Sequence, residues 1–123
     1  MTETALISIV DDDESMREAI QSLLRSVGFR TQMFASAEQF LQSDQIETTA
    51  CLILDVRMPG MSGLELQHRL MTAHYRIPIV FVTAHGDGET RSRALQAGAV
   101  EFLLKPFSEE ALLNAIQVAL PAQ

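Results

Sequence analysis

The sequence predicts an α/β fold: a doubly wound, five-stranded parallel sheet with five helices, in one domain spanning residues 1–123. Three observations lead there. Nearly unbroken apolar runs at Ala5–Val10, Cys51–Leu54 and Pro78–Thr83 have the composition of strands buried on both faces. Apolar residues recur at helical spacing between such runs. Strand and helix patterns then alternate five times, and right-handed crossovers place the helices on both faces of one sheet.

The first strand, Ala5–Val10, ends in the acidic block Asp11-Asp12-Asp13-Glu14. Met16, Ala19, Ile20, Leu23, Leu24 and Val27 form the stripe of the first helix, and Gly28 stops it. Phe29–Phe34 is a more polar strand, as suits a sheet edge. Ser36 and Gln39 have the spacing of a capping box, opening a short helix with Phe40 and Leu41 inward. Ser43–Thr49 is a polar loop before the third strand, Cys51–Leu54. Ser62 is placed to cap a helix over Leu64 to about His74, with Leu66, Leu70 and Met71 toward the sheet. Pro78–Thr83 is the fourth strand, with proline tolerated at its start. A segment with Gly86 and Gly88 precedes a helix to about Ala97, closed by Gly98. Val100–Leu104 is the fifth strand, ended by Lys105-Pro106. Ser108 caps a last helix whose stripe is Leu112, Leu113, Ile116, Ala119 and Leu120.

Composition narrows the function. The net charge of −7 argues against nucleic-acid binding by this domain, because gripping phosphates needs a basic face. No apolar run reaches the length of a membrane span, and the start MTETALISIV lacks a basic signal region, so a cytoplasmic protein is expected. The single cysteine, Cys51, lies inside a strand and reads as a small core residue.

Polar residues stand at the carboxyl ends of four strands: Asp11 and Asp12, Asp55, Thr83, and Lys105. Ligands of open α/β sheets bind at that edge. Asp55 is too early to cap the helix after Met58-Pro59-Gly60-Met61, which favours a site residue. If the first, third, fourth and fifth strands are neighbours, these side chains share a pocket. Two carboxylates about 4 Å apart repel by roughly 4 kcal/mol at an effective dielectric of 20. A hard divalent cation relieves this, and Mg²⁺ suits carboxylate, water and phosphate oxygens. Lys105 and Thr83 can hold a phosphoryl group, with Asp55 as the nucleophile that forms an aspartyl phosphate. The plainer alternative is that Lys105 pairs with Asp55 and the acidic block is a solvated loop.

Val10-Asp11-Asp12-Asp13, Asp55-Val56-Arg57-Met58-Pro59 through Gly63, Val82-Thr83-Ala84 and Lys105-Pro106-Phe107 together resemble the receiver domain of two-component response regulators. The stretches RMPGMSGLEL, TAHGD and AGAVEFLLKPF are similar to the FixJ type. The resemblance covers essentially the whole chain and implies a flavodoxin-like sheet of order 2-1-3-4-5. It implies that Asp55 takes a phosphoryl group from a sensor histidine kinase. Asp12 would bind Mg²⁺ directly, Asp11 mainly through water, and the backbone carbonyl of Arg57 would be a further ligand. Thr83 and Lys105 would hold phosphoryl oxygens. Phe102 would be the switch aromatic that follows Thr83, although on an apolar strand it also fits as plain core. Such domains commonly have a cis bond before the proline, here Lys105–Pro106. The resemblance also implies a switching face of helix four, strand five and helix five, homodimerisation on phosphorylation through helix four and strand five, and a DNA-binding output domain outside residues 1–123. Asp13 has no role in the pattern and is expected to cap the first helix.

Two departures stand out. Asp87-Gly88-Glu89-Thr90-Arg91-Ser92-Arg93 replaces the apolar residues that usually enter the fourth helix, leaving Ala94, Leu95 and Ala97 to pack it. The segment 85–93 should therefore be loosely held. Arg57 and His85, at positions that vary in the family, are bulky and are expected to slow water reaching the phosphoryl group; each also fits as an exposed side chain without a role. Among rival functions, a haloacid-dehalogenase-type phosphatase wants a carboxylate two residues after its nucleophile, where this chain has Arg57. A nucleotide switch needs a P-loop, which is missing from the sequence. A degenerate receiver acting only as a binding module would normally have lost a site residue.

Overall fold

Burial follows position in the sheet, because a strand with helices on both faces needs apolar side chains in both directions. The computed structural model describes residues 5–84 and 86–120. Its elements are β1 (Leu6–Val10), α1 (Glu14–Ser26), β2 (Arg30–Phe34), α2 (Ala37–Gln42), β3 (Cys51–Leu54), α3 (Gly63–Thr72), β4 (Ile79–Thr83), α4 (Gly88–Gln96), β5 (Glu101–Leu104) and α5 (Glu109–Ala119). All strand pairs are parallel, in the order β2-β1-β3-β4-β5. Every residue of β1, β3 and β4 is buried, whereas β2 and β5 at the two edges are partly exposed. The expected doubly wound sheet of order 2-1-3-4-5 is present.

Alternation along the strands divides the core in two. Ile7, Ile9, Cys51, Ile53, Val80 and Val82 meet Ile20 and Leu24 of α1 and Leu112 and Ile116 of α5. Val10, Leu52, Leu54 and Phe81 face the other way, onto Ala37 and Phe40 of α2, Leu66 and Leu70 of α3, and Ala94 of α4. Burial pushes the Cys51 thiol up to about 12, so it stays a protonated core group.

Each helix begins at a side-chain cap. Asp13 accepts from the Met16 N–H, Ser36 from Gln39, Asp87 from Thr90 and Ser108 from Ala111. Ser62 and Glu65 form a full capping box at α3. At α2 the expected box is incomplete: Gln39 Oε1 accepts from the Ala35 N–H, one residue before the cap. Gly28 and Gly98 take φ of +98° and +105° just past the ends of α1 and α4, where a side chain would be strained.

Three apolar residues expected on inward faces are exposed: Ala19, Val27 and Met71. Neighbours on a helix point about 100° apart. Ala19 thus turns away once Ile20 is inward, and Met71 once Leu70 is. Val27 lies beyond the last turn, as the C-cap. The narrow stripe expected for α4 is present, with Ala94 its buried residue. The Lys105–Pro106 bond is cis. Among the described residues, no helix is long and apolar enough to cross a membrane.

Candidate functional site

Register brings the polar strand ends together. Val10 pairs with Leu54, so the next residues, Asp11 and Asp55, leave the sheet side by side. Thr83 pairs with Leu104, so Lys105 leaves next to the end of β4, where its N–H donates to the Thr83 carbonyl at 2.8 Å. One carboxylate oxygen from each of Asp11, Asp12 and Asp55 lies within 4.8 Å of the others. Asp11 and Asp55 are 2% and 6% exposed, while Asp12 is open to solvent. Lys105 reaches in from β5, with Nζ 3.0 Å from Asp11 Oδ2 and 3.9 Å from Asp55 Oδ2. The sequence left open whether Lys105 merely pairs with Asp55; it makes its shorter contact with Asp11.

Burial holds the Asp11 carboxyl above the usual carboxylate range and the charge of Asp55 adds to this, against the opposing pull of the Asp13 N–H and Lys105. The Asp13 N–H donates to Asp11 Oδ1 at 2.9 Å, which fixes that side chain at the turn into α1. The Val56 N–H donates to Asp55 Oδ1 at 2.8 Å, leaving Oδ2 for other partners. Thr83 is fully buried at the end of β4.

Phe102 is 5% exposed, and its ring centre is 5.8 Å from that of Phe81. Gly86 lies against it: a Cβ there would come 2.6 Å from Phe102 Cε1 and 2.7 Å from Leu104 Cδ2. Arg57 follows Asp55 by two residues, on the loop into α3, with its side chain exposed. The Thr90 N–H holds the Asp87 carboxyl below the usual range, and the charge of Arg57 contributes in the same direction. His85 lies outside the described residues.

Three residues to which the sequence reading gave no role at the site hold its backbone. Arg17 Nη1 donates to the Asp11 carbonyl at 2.7 Å. Glu38 Oε2 accepts from the Met61 N–H at 2.9 Å. Gly63 packs on the backbone of Asp55, whose carbonyl oxygen a Cβ would strike. Arg17 and Glu38 have no local signal, being polar residues on helices like many others. Gly63, just inside a helix, could have been flagged as a close approach.

The donor set suits a hard divalent cation. Oxygen ligands about 2.1 Å from Mg²⁺ in an octahedron stand roughly 3 to 4.2 Å apart. The three carboxylate oxygens, within 4.8 Å of one another, are near that spacing, and a bound cation would offset a mutual repulsion that one ammonium only partly balances.

Residues 7–117 match the response regulator receiver domain. The chain is 49% identical over 116 residues to the response regulator protein TmoT of Ectopseudomonas mendocina, covering 94% of this chain and 53% of TmoT. It is 38% identical over 120 residues to the transcriptional regulatory protein FixJ of Bradyrhizobium diazoefficiens, covering 98% of this chain and 58% of FixJ. The structure of the response regulator StyR superposes with a TM-score of 0.88 at 52% identity, covering 96% of this chain and 60% of StyR. The chain spans about half the length of the curated relatives it matches. Its sheet order and its match to the family along residues 7–117 lead to one conclusion: the chain belongs to the response regulator receiver domains.

Proposed function

We propose that this domain is a phosphoryl-accepting switch in which Asp55 takes a phosphoryl group from a sensor histidine kinase in a Mg²⁺-dependent reaction. The observation that carries the reading is the convergence of Asp11, Asp12, Asp55 and Lys105 at the ends of β1, β3 and β5. Asp55 Oδ2 attacks phosphorus, the O–P bond forms as the P–N bond of a phosphohistidine breaks, and the imidazole nitrogen keeps the electron pair. Asp11, Asp12, Asp55 and the carbonyl of Arg57 would hold Mg²⁺, which would supply charge neutralisation at the phosphoryl oxygens. Lys105 moves its ammonium from Asp11 toward those oxygens, and the Thr83 hydroxyl donates to another.

The signal then passes through Phe102 to the face of α4, β5 and α5, which meets a second copy, an output domain or a separate partner. DNA-binding output belongs to the longer proteins of this type, and the reading places the domain in the cytoplasm. Arg57 and His85 slow the approach of water and lengthen the phosphorylated lifetime. Arg57→Ala should then shorten that lifetime, followed by loss of the phosphorylated mass with time; an unchanged decay removes Arg57 from this role.

Intact mass after incubation with acetyl phosphate and Mg²⁺ tests the central step. One added phosphoryl group that needs Mg²⁺ and is lost in Asp55→Asn is expected. No adduct with acetyl phosphate or with phosphorylated kinase would overturn the reading in favour of a binding module.

A further inference from the structure

We propose that Glu38 is a positioning residue for the metal side of this site, acting from α2 through the loop that carries Arg57. The inference rests on the function proposed above, in which the Arg57 carbonyl is a metal ligand. A backbone ligand is only as well placed as its loop, and Mg²⁺ demands near-ideal octahedral geometry. The loop between β3 and α3 is closed at its base by the Gly63 N–H, which donates to the Val56 carbonyl at 2.8 Å. Val56 and Met58 tie its first half into the apolar layer that also holds Ala37 and Phe40 of α2. The far half has a different anchor, the Met61 N–H donating to Glu38 Oε2 at 2.9 Å, from a residue 23 positions earlier in the chain.

The fit at this contact is close. Gly60 takes φ of +78°, and a Cβ on it would come 2.5 Å from Glu38 Oε2. The positive φ favours glycine at this turn, and the absence of a side chain leaves the carboxylate room beside it. A glutamate is ionised at neutral pH, so the bond is charge-assisted, and the Met61 N–H in turn holds the Glu38 carboxyl below its usual range. α2 and the Arg57 loop thus form one unit, with apolar contact on the core side and a charged clamp on the other.

Mg²⁺ titrations followed by amide resonances of the ¹⁵N-labelled protein, with thermal unfolding in metal-free buffer alongside, test this. Glu38→Ala should raise the Mg²⁺ dissociation constant about tenfold, the low end of what losing an outer-shell partner costs. Glu38→Gln, whose amide oxygen still accepts from Met61, should bind close to the wild type. A wild-type dissociation constant in Glu38→Ala overturns the inference and leaves the proposed function standing. So does weakened binding in both variants in step with their unfolding midpoints, which would mark a merely structural role. Failure of the wild-type protein itself to bind Mg²⁺ overturns both readings.

Discussion

Opposing effects meet at Asp11. Burial and the neighbouring Asp55 favour its neutral form, while Lys105 and the Asp13 N–H favour the anion, and burial prevails. A carboxyl whose pKa is raised in the folded state keeps its proton over a window where the unfolded chain has released it. Stability therefore falls as pH rises from the unfolded value, near 3.8, through the raised one, and the loss persists at neutral pH. Glu38 and Asp87 run the other way: their lowered values add stability that is present above their unfolded values and lost as pH drops through the folded ones. Asp11→Asn should remove that penalty and stabilise the metal-free protein at pH 7, because it takes away a buried charge and its repulsion by Asp55 while Lys105 keeps Asp55 as a counter-charge. The gain should shrink toward pH 4. Urea unfolding at the two pH values checks this, and a destabilised Asn variant at pH 7 would show that the Lys105 contact dominates instead.

α4 is held unlike the other helices. Ala94 is its buried residue, and its carbonyl accepts twice, from the Ala99 N–H at 3.0 Å and from Nε2 of the buried Gln67 of α3 at 3.0 Å. A side-chain tether thus supplements the narrow apolar stripe. Gln67→Leu removes that donor at similar size, and the Ala94 carbonyl keeps its Ala99 partner, so the net cost should be about 1 kcal/mol. Amides of 88–96 should already exchange faster than those of α1 in the wild type, and faster still in Gln67→Leu, with α1 unchanged. Hydrogen exchange read residue by residue decides it; protection in α4 equal to that of α1 would mean that the tether and the Asp87 cap suffice. A helix held this lightly is suited to a switching face, since little burial is lost when it moves.

Across the whole molecule, the acidic cluster exists only when β1 and β3 are paired, so a metal bound there binds the folded state and not the unfolded chain. Mg²⁺ at about 100 times its dissociation constant should then add about 2.7 kcal/mol to the unfolding free energy. EDTA should reverse the gain, and Asp12→Asn, altering an exposed residue, should reduce it without destabilising the metal-free protein. Thermal unfolding with and without Mg²⁺ measures the shift. Equal midpoints at every Mg²⁺ concentration would mean that the cluster binds the ion no better when folded.

The sequence by itself determined the strands, four of the five helix caps and the kinds of residue at the site, the Asp87 cap of α4 being the exception. Those properties are local: an apolar run such as Cys51–Leu54 needs burial on both faces wherever it lies, and Ser62 three residues before Glu65 caps a helix from its own side chain. The resemblance in motifs added the sheet order, which no single segment encodes. Tertiary structure alone decided which helical residues face out, as with Ala19 and Met71, because a stripe has edges and the packing angle sets where they fall. It also decided that Lys105 makes its shorter contact with Asp11, that Arg17 holds the Asp11 carbonyl, and that Glu38 reaches Met61. Each of these joins residues from different elements, and strand register and helix placement set the distance between them to within the length of a hydrogen bond. No periodicity along the chain carries that information.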